Sequence, residues 1–147
     1  MAIAAIITFA VVATIVVAVI GVRRRFVVVR VTGTSMEPVL LEGQLVLVRR
    51  AGIDAVRRGD LIVFALTAVR MAVPGDPPWM VKRAIAIAGD PIPHESVPPA
   101  VSLERTHVPD GHLIVRGDNS RRSFDSRIAG FIDGRALLGV VLRQLSR

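Results

Sequence analysis

The first 22 residues, MAIAAIITFAVVATIVVAVIGV, carry no charged side chain and no polar stripe. A helix of that length rises about 33 Å, enough to cross a hydrocarbon layer of about 30 Å. Only a membrane or a large protein interior buries a helix on every side, and a chain of 147 residues has room for one domain of ordinary size. A cleaved signal peptide would have a basic start and a shorter apolar run, whereas this start has no Lys or Arg. Residues 1–22 are therefore expected to be an uncleaved transmembrane signal anchor, with residues 26–147 as the domain behind it.

Beyond the span the hydrophobic pattern becomes short and interrupted. Residues 26–32 (FVVVRVT), 44–48 (QLVLV), 60–66 (DLIVFAL) and 112–116 (HLIVR) are rich in β-branched residues and lie between turn-forming stretches, which predicts strands. Residues 79–88 (WMVKRAIAIA) give the strongest strand pattern. With a period of two, Met80, Lys82, Ala84, Ala86 and Ala88 share one face, and Val81, Arg83, Ile85 and Ile87 the other. Lys82 thus stands on a face of small side chains that leaves space for another group to approach. Residues 71–78 (MAVPGDPP) read as a Pro/Gly loop. Residues 89–111 hold five of the nine prolines and read as loop with at most a short hairpin. Residues 117–127 form a polar turn, too rich in hydrogen-bonding side chains to be buried without function or dense internal bonding. Residues 136–145 suit either a last strand or a short helix. The expected fold class is mainly β, without repeats or heptads.

Charge adds a partner to this picture. Lys plus Arg total 19 against 12 Asp plus Glu, a net charge of +7, which favours anionic phospholipid or nucleic acid. Five Phe, one Trp and no Tyr give little for base stacking, so membrane phospholipid is expected and nucleic acid is not. Arg23, Arg24 and Arg25 follow the span directly. They would hold the domain in the cytoplasm by the positive-inside tendency, or lie against anionic headgroups at about 1 kcal/mol each; charge alone leaves both open. The absence of cysteine excludes disulfides, thiolate catalysis and iron–sulfur clusters. His94, His107 and His112 lie in or beside one loop without an H-E-x-x-H spacing, so neither metal nor cofactor is expected.

The remaining nucleophiles are hydroxyls, and a hydroxyl needs a base that is neutral at working pH. Of the 19 basic residues 18 are arginine, and Lys82 is the single lysine. Bringing a lysine from about 10.4 to 7 or 8 costs about 3 to 4 kcal/mol, which burial can impose, whereas an arginine would stay charged. Ser35 sits at a strand-to-turn corner, where its backbone N–H is free to face a developing oxyanion. Taken singly, a strand lysine is ordinarily solvated and a serine after Gly-Thr ordinarily forms a turn.

Together these residues resemble the type I signal peptidases, membrane-anchored serine proteases with a Ser/Lys dyad. Gly33-Thr34-Ser35-Met36-Glu37-Pro38 looks like the family's nucleophile box, and residues 58–64 (RGDLIVF) like the strand box after it. Lys82-Arg83 through Gly89-Asp90 looks like the lysine box, and Gly117-Asp118-Asn119 through Asp125-Ser126-Arg127 like the last box. The match covers most of residues 26–130. The resemblance implies a signal-peptidase-type β-fold with Ser35 as nucleophile and Lys82 as general base, the oxyanion being held by the N–H of Ser35. It makes Ser123 similar to the hydroxyl that orients the lysine, and Asp125 and Arg127 similar to a supporting ion pair, with Asp118 beside them. Gly33 stands where some members carry a second oxyanion hydroxyl, Val39 where the family often has Thr, and Ala88 where a Pro commonly precedes Gly-Asp. The accessory region shrinks to residues 91–112. The resemblance further implies signal peptides of secretory precursors as substrates, cut after A-x-A-like small residues and bound as an added strand. Ala84 and Ala86 are then expected to border the substrate pockets. By the same resemblance the domain lies on the outer face of the cytoplasmic membrane, against the arginine tendency.

Three other readings compete. A specialised maturation protease serving one or a few precursors would share the dyad. A self-cleaving repressor would also use Ser and Lys, but would carry a DNA-binding segment where this chain has its apolar span. A non-catalytic membrane-tethered binding domain would be indifferent to Ser35.

Overall fold

The computed structural model describes residues 2–65 and 79–145; the expected loop at residues 71–78 lies outside the described residues. Helix α1 (Ala2–Arg25) carries the apolar segment and ends on Arg23, Arg24 and Arg25, three cations suited to the negative end of the helix dipole. Its apolar side chains are largely exposed among those described: Phe9 is 76% exposed and Val17 70%. The stretch Ile6–Arg25 is long and apolar enough to cross a membrane. The helix thus covers the apolar run and continues by about one turn to Arg25.

The helix runs without a loop into β1 (Phe26–Arg30), followed by β2 (Leu45–Arg50), β3 (Leu61–Ala65), β4 (Trp79–Ala86), β5 (His112–Arg116), β6 (Ile132–Asp133) and β7 (Leu137–Gln144). All pair antiparallel in one sheet of order β1-β2-β7-β3-β4-β5-β6. The mainly β class behind one N-terminal helix is thus observed. The open choice at residues 136–145 resolves as a strand, because Leu138, Gly139 and Val140 are buried between β2 and β3.

Both faces of the sheet are apolar, and each has its own core. Val63 and Val81, paired across β3 and β4, join Val29, Val46, Val48, Met36 and Leu40 in one cluster. Ile62, Phe64 and Ala84 alternate to the opposite face and pack with Val56, Leu113, Val115 and Ile132. The expected alternation of residues 79–88 holds as far as Ala84. There the pairing with β5 slips, from Ala84 opposite Val115 to Ala86 opposite Ile114. A bulge of this kind breaks the two-residue period, so Ile85 and Ala86 both join a third cluster and Ile87 packs back with the cluster of Ala84.

Residues 89–111 differ from the expected plain loop. They contain a 3-10 turn at His94–Ser96, helix α2 (Pro99–Glu104) and a bridge between Pro91 and His107. Ile92, Val97 and Val108 bury against Ala86 and Ile114, so the segment covers one end of the sheet. Proline sits comfortably in the first turn of α2, where its missing N–H costs nothing.

Candidate active site

Ser35 enters on the turn between β1 and β2. Gly33 opens that turn with φ +76°, a left-handed conformation that glycine adopts without penalty. The N–H of Glu37 donates to Thr34 O at 3.2 Å and that of Leu40 to Met36 O at 2.9 Å. Met36 and Leu40, 1% and 0% exposed, drive their side chains into the core beneath. With its two flanks anchored in this way, Ser35 is half-buried rather than free to swing.

Lys82 comes from β4, on the face it shares with Met80 and Ala84, opposite Ile62 of β3. Its side chain is 2% exposed, and its Nζ donates to Ser35 Oγ at 2.5 Å. No carboxylate among the described residues approaches it within ion-pair distance. Burial lowers its pKa from 10.5 to about 8, against the opposing pull of the Asp125 and Asp118 charges. An amine held this way loses its proton at mildly alkaline pH and, once neutral, can accept the hydroxyl proton of the serine it touches.

The loop after β5 fastens the two residues in place. The backbone N–H of Asn119 donates to Ser35 O at 3.0 Å, and its side-chain amide to Thr34 O at 3.0 Å. Next to Lys82, Arg83 makes a two-pronged ion pair with Asp118 at 2.8 and 2.7 Å and donates to Gly59 O at 2.8 Å. That one guanidinium ties β4, the 117–119 loop and the turn before β3 together. Neither Asn119 nor Arg83 was expected from the sequence to act here. Both occur within the quoted boxes, but a period-two pattern only says that Arg83 points away from Lys82, not what it meets.

Asp125 is the most heavily bonded group of the site. Its side chain is fully buried and accepts from Gly117 N–H at 3.0 Å, Ser123 Oγ at 2.7 Å and Arg127 Nε at 2.9 Å. Burial pushes this carboxyl up, but the bonds from Arg127, Gly117 and Ser123 outweigh it and hold it below the ordinary carboxylate range. Asp125 also caps α3 (Ser126–Ala129) by accepting from the Arg127 N–H, while Ser126 Oγ accepts from the Val115 N–H at 2.9 Å. The ion pair expected between Asp125 and Arg127 is present. The hydroxyl of Ser123, expected to orient Lys82, donates to Asp125 at 2.7 Å.

One expectation needs correction. Ala84 and Ala86 are both 0% exposed, packed in separate core clusters, so neither offers surface to a peptide. Small residues on a strand face signal either open space or tight packing, and here β5 and the segment over residues 92–108 fill the space. The histidines gather into no cluster; among the described residues no group of three or more His, Asp or Glu could hold a metal ion.

Comparison with known proteins places this geometry. The sequence profile of the family described as signal peptidase, peptidase S26 matches residues 3–102 and 93–144. The chain is 34% identical over 106 residues to mitochondrial inner membrane protease subunit 1 of Mus musculus, covering 70% of this chain and 59% of the relative. It is 28% identical over 127 residues to probable signal peptidase I-1 of Synechocystis sp., covering 74% and 65%, and 28% identical over 145 residues to probable signal peptidase I-2 of the same organism, covering 86% and 66%. The chain thus spans about three fifths to two thirds of the length of these relatives. With a profile match over nearly its whole length and the quoted boxes converging on Ser35 and Lys82, the chain belongs to the signal peptidase, peptidase S26 family.

Proposed function

We propose that this chain is a membrane-anchored serine endopeptidase that removes signal peptides from exported precursors, cutting after small residues of the A-x-A kind. The observation that carries this reading is the 2.5 Å contact between Ser35 Oγ and a buried Lys82 that has no ion-pair partner among the described residues. Neutral Lys82 takes the Ser35 proton as Oγ attacks the scissile carbonyl, and the N–H of Ser35 faces the oxyanion of the tetrahedral intermediate. As the intermediate collapses and its C–N bond breaks, Lys82 gives the proton to the leaving amine; neutral again, Lys82 then takes a proton from a water that attacks the acyl-enzyme, and returns it to Ser35 Oγ as the ester bond breaks. Asp125, Arg127, Asp118 and Ser123 are positioning residues: they hold the 117–127 loop, through which Asn119 grips the backbone of the nucleophile turn. Helix α1 is a single-pass anchor, and the domain belongs on the outer face of the cytoplasmic membrane, where cleavage sites emerge.

A second reading, a specialised maturation protease, is favoured by one observation: the identity to a mitochondrial inner membrane protease subunit, 34%, exceeds the 28% to the probable signal peptidases. One assay addresses both. Detergent-solubilised full chain is incubated with an anchored precursor bearing an A-x-A site, and the product is read by mass spectrometry. Cleavage after the final small residue, absent in Ser35→Ala, supports the general peptidase. Cleavage confined to one precursor among several favours the specialised one, and cleavage persisting in Ser35→Ala rejects both.

The same assay carries a pH signature. Because the base is the deprotonated form of a lysine held at about 8, kcat/KM should rise about tenfold per pH unit below that value and level off above it. A profile flat between pH 6 and 9 would contradict Lys82 as the base.

A further inference from the structure

The arginines divide by their surroundings. Arg58, Arg83, Arg116, Arg127 and Arg135 each have a carboxylate partner. Where α1 meets the sheet the situation reverses: Arg23, Arg24, Arg25, Arg49 and Arg50 are all exposed, and no carboxylate among the described residues lies within 4.0 Å of any of them. Far apart in sequence, the two groups meet by topology. Helix α1 passes directly into β1, and β1 pairs with β2 so that Phe26 faces Arg49. One step beyond that pair lie Arg25, at the end of α1, and Arg50, at the end of β2. The half-charge at the C-terminal end of a helix offsets only a small part of five guanidinium charges. Arg49 also lines a groove with Arg57, Asp54 and Asp60; two cations and two carboxylates balance there, but neither carboxylate comes within 4.0 Å of Arg49, and this groove bounds the collar on the β7 side.

We infer that Arg49 and Arg50 extend the arginines of α1 into a five-membered collar that binds anionic phospholipid headgroups and seats the sheet against the bilayer surface. The collar sits at the end of an apolar helix fit to span a membrane, the level at which headgroup phosphates lie, and the planar guanidinium fork matches phosphate oxygens. An arginine at an anionic surface contributes about fivefold in association. This inference concerns the membrane contact and stands apart from the peptidase reading.

The test uses the full chain in lipid nanodiscs containing spin-labelled phosphatidylglycerol or phosphatidylcholine, with the immobilised fraction of each label giving relative association. Phosphatidylglycerol should be preferred about fivefold or more at low salt, with the preference fading as salt rises. Arg49→Gln with Arg50→Gln should lower it at least about threefold, and Arg49→Lys with Arg50→Lys should largely keep it, separating charge from packing. Arg121→Gln with Arg122→Gln removes equal charge from the exposed turn after β5 and should leave the lipid preference unchanged. No lipid preference in the wild type, an unchanged preference in the glutamine pair at β2, or an equal loss in both glutamine pairs would each overturn the inference. So would a β2 glutamine pair that loses affinity for duplex DNA while its lipid preference is intact.

Discussion

Lys82→Met will leave less than about one part in 10⁴ of the wild-type kcat/KM, and the same protein will melt at a higher temperature than wild type. The loss follows from the proposed role: methionine fills the space but takes no proton, and the hydroxyl of Ser35 is a poor nucleophile at its own pKa. The gain in stability follows from desolvation. The amine titrates at about 8 in the folded domain instead of 10.5, so between those values the unfolded chain binds more protons and stability rises with pH. Below pH 8 the folded domain bears the whole cost of burying the cation, about 3 kcal/mol. At pH 7 the Met variant sheds that cost, and at pH 10.5 its advantage should largely vanish. Thermal melts of both proteins at the two pH values, beside initial rates, test the pair of claims. A variant less stable at pH 7 would show that Lys82 contributes packing or bonding that outweighs its desolvation. Lys82→Arg should be equally inactive, since a guanidinium stays protonated at any working pH.

Gly117→Ala should reduce kcat/KM about 10²-fold or more and destabilise the domain by about 3 kcal/mol. A Cβ at this position would lie 2.6 Å from Ser35 O and 2.2 Å from Ser123 Oγ. The serine side chain can turn away, but the carbonyl of Ser35 is backbone, already bonded to the N–H of Asn119 at 3.0 Å. The methyl group must therefore push the nucleophile turn off the loop that holds it, and misplacement by about 1 Å is enough for a loss of that size. Kinetics on an anchored precursor together with a denaturant melt measure both quantities. Activity within threefold of wild type would mean that the turn and the loop move as one body, and that their contact does not set the position of Ser35.

How far these features can be read from the letters depends on the range of the interactions that create them. Helix α1 is legible because a long uncharged apolar run favours one continuous helix whatever surrounds it. Strand β4 is legible up to Ala84 because alternation is local, and illegible after it because the bulge is set by pairing with Val115 and Ile114, about thirty positions away. Helices α2 and α3, six and four residues long, are too short to show a helical period at all. At the site, Lys82 stands out because it is the single lysine, and Ser35 because its turn is punctuated by Gly33 and Pro38. Asn119 and Arg83 act through contacts 85 and 35 positions distant, which no pattern along one strand can announce. Ala84 and Ala86 show the reverse failure, since a missing side chain reads the same whether a substrate or the core occupies the space.

The place of β7 in the sheet bears on when the molecule becomes competent. It lies between β2 and β3, so the hairpin next to the serine turn and the strands next to Lys82 share no backbone ladder until residues 137–144 are in register with both. A chain emerging from the ribosome or crossing a bilayer from its N-terminus would expose Ser35 and Lys82 early, yet hold them on two disconnected halves. Until that late strand pairs, only the bonds from Asn119 and the contact between Ser35 and Lys82 relate the two halves, so the last stretch of the chain to be made is the one that locks their relative position.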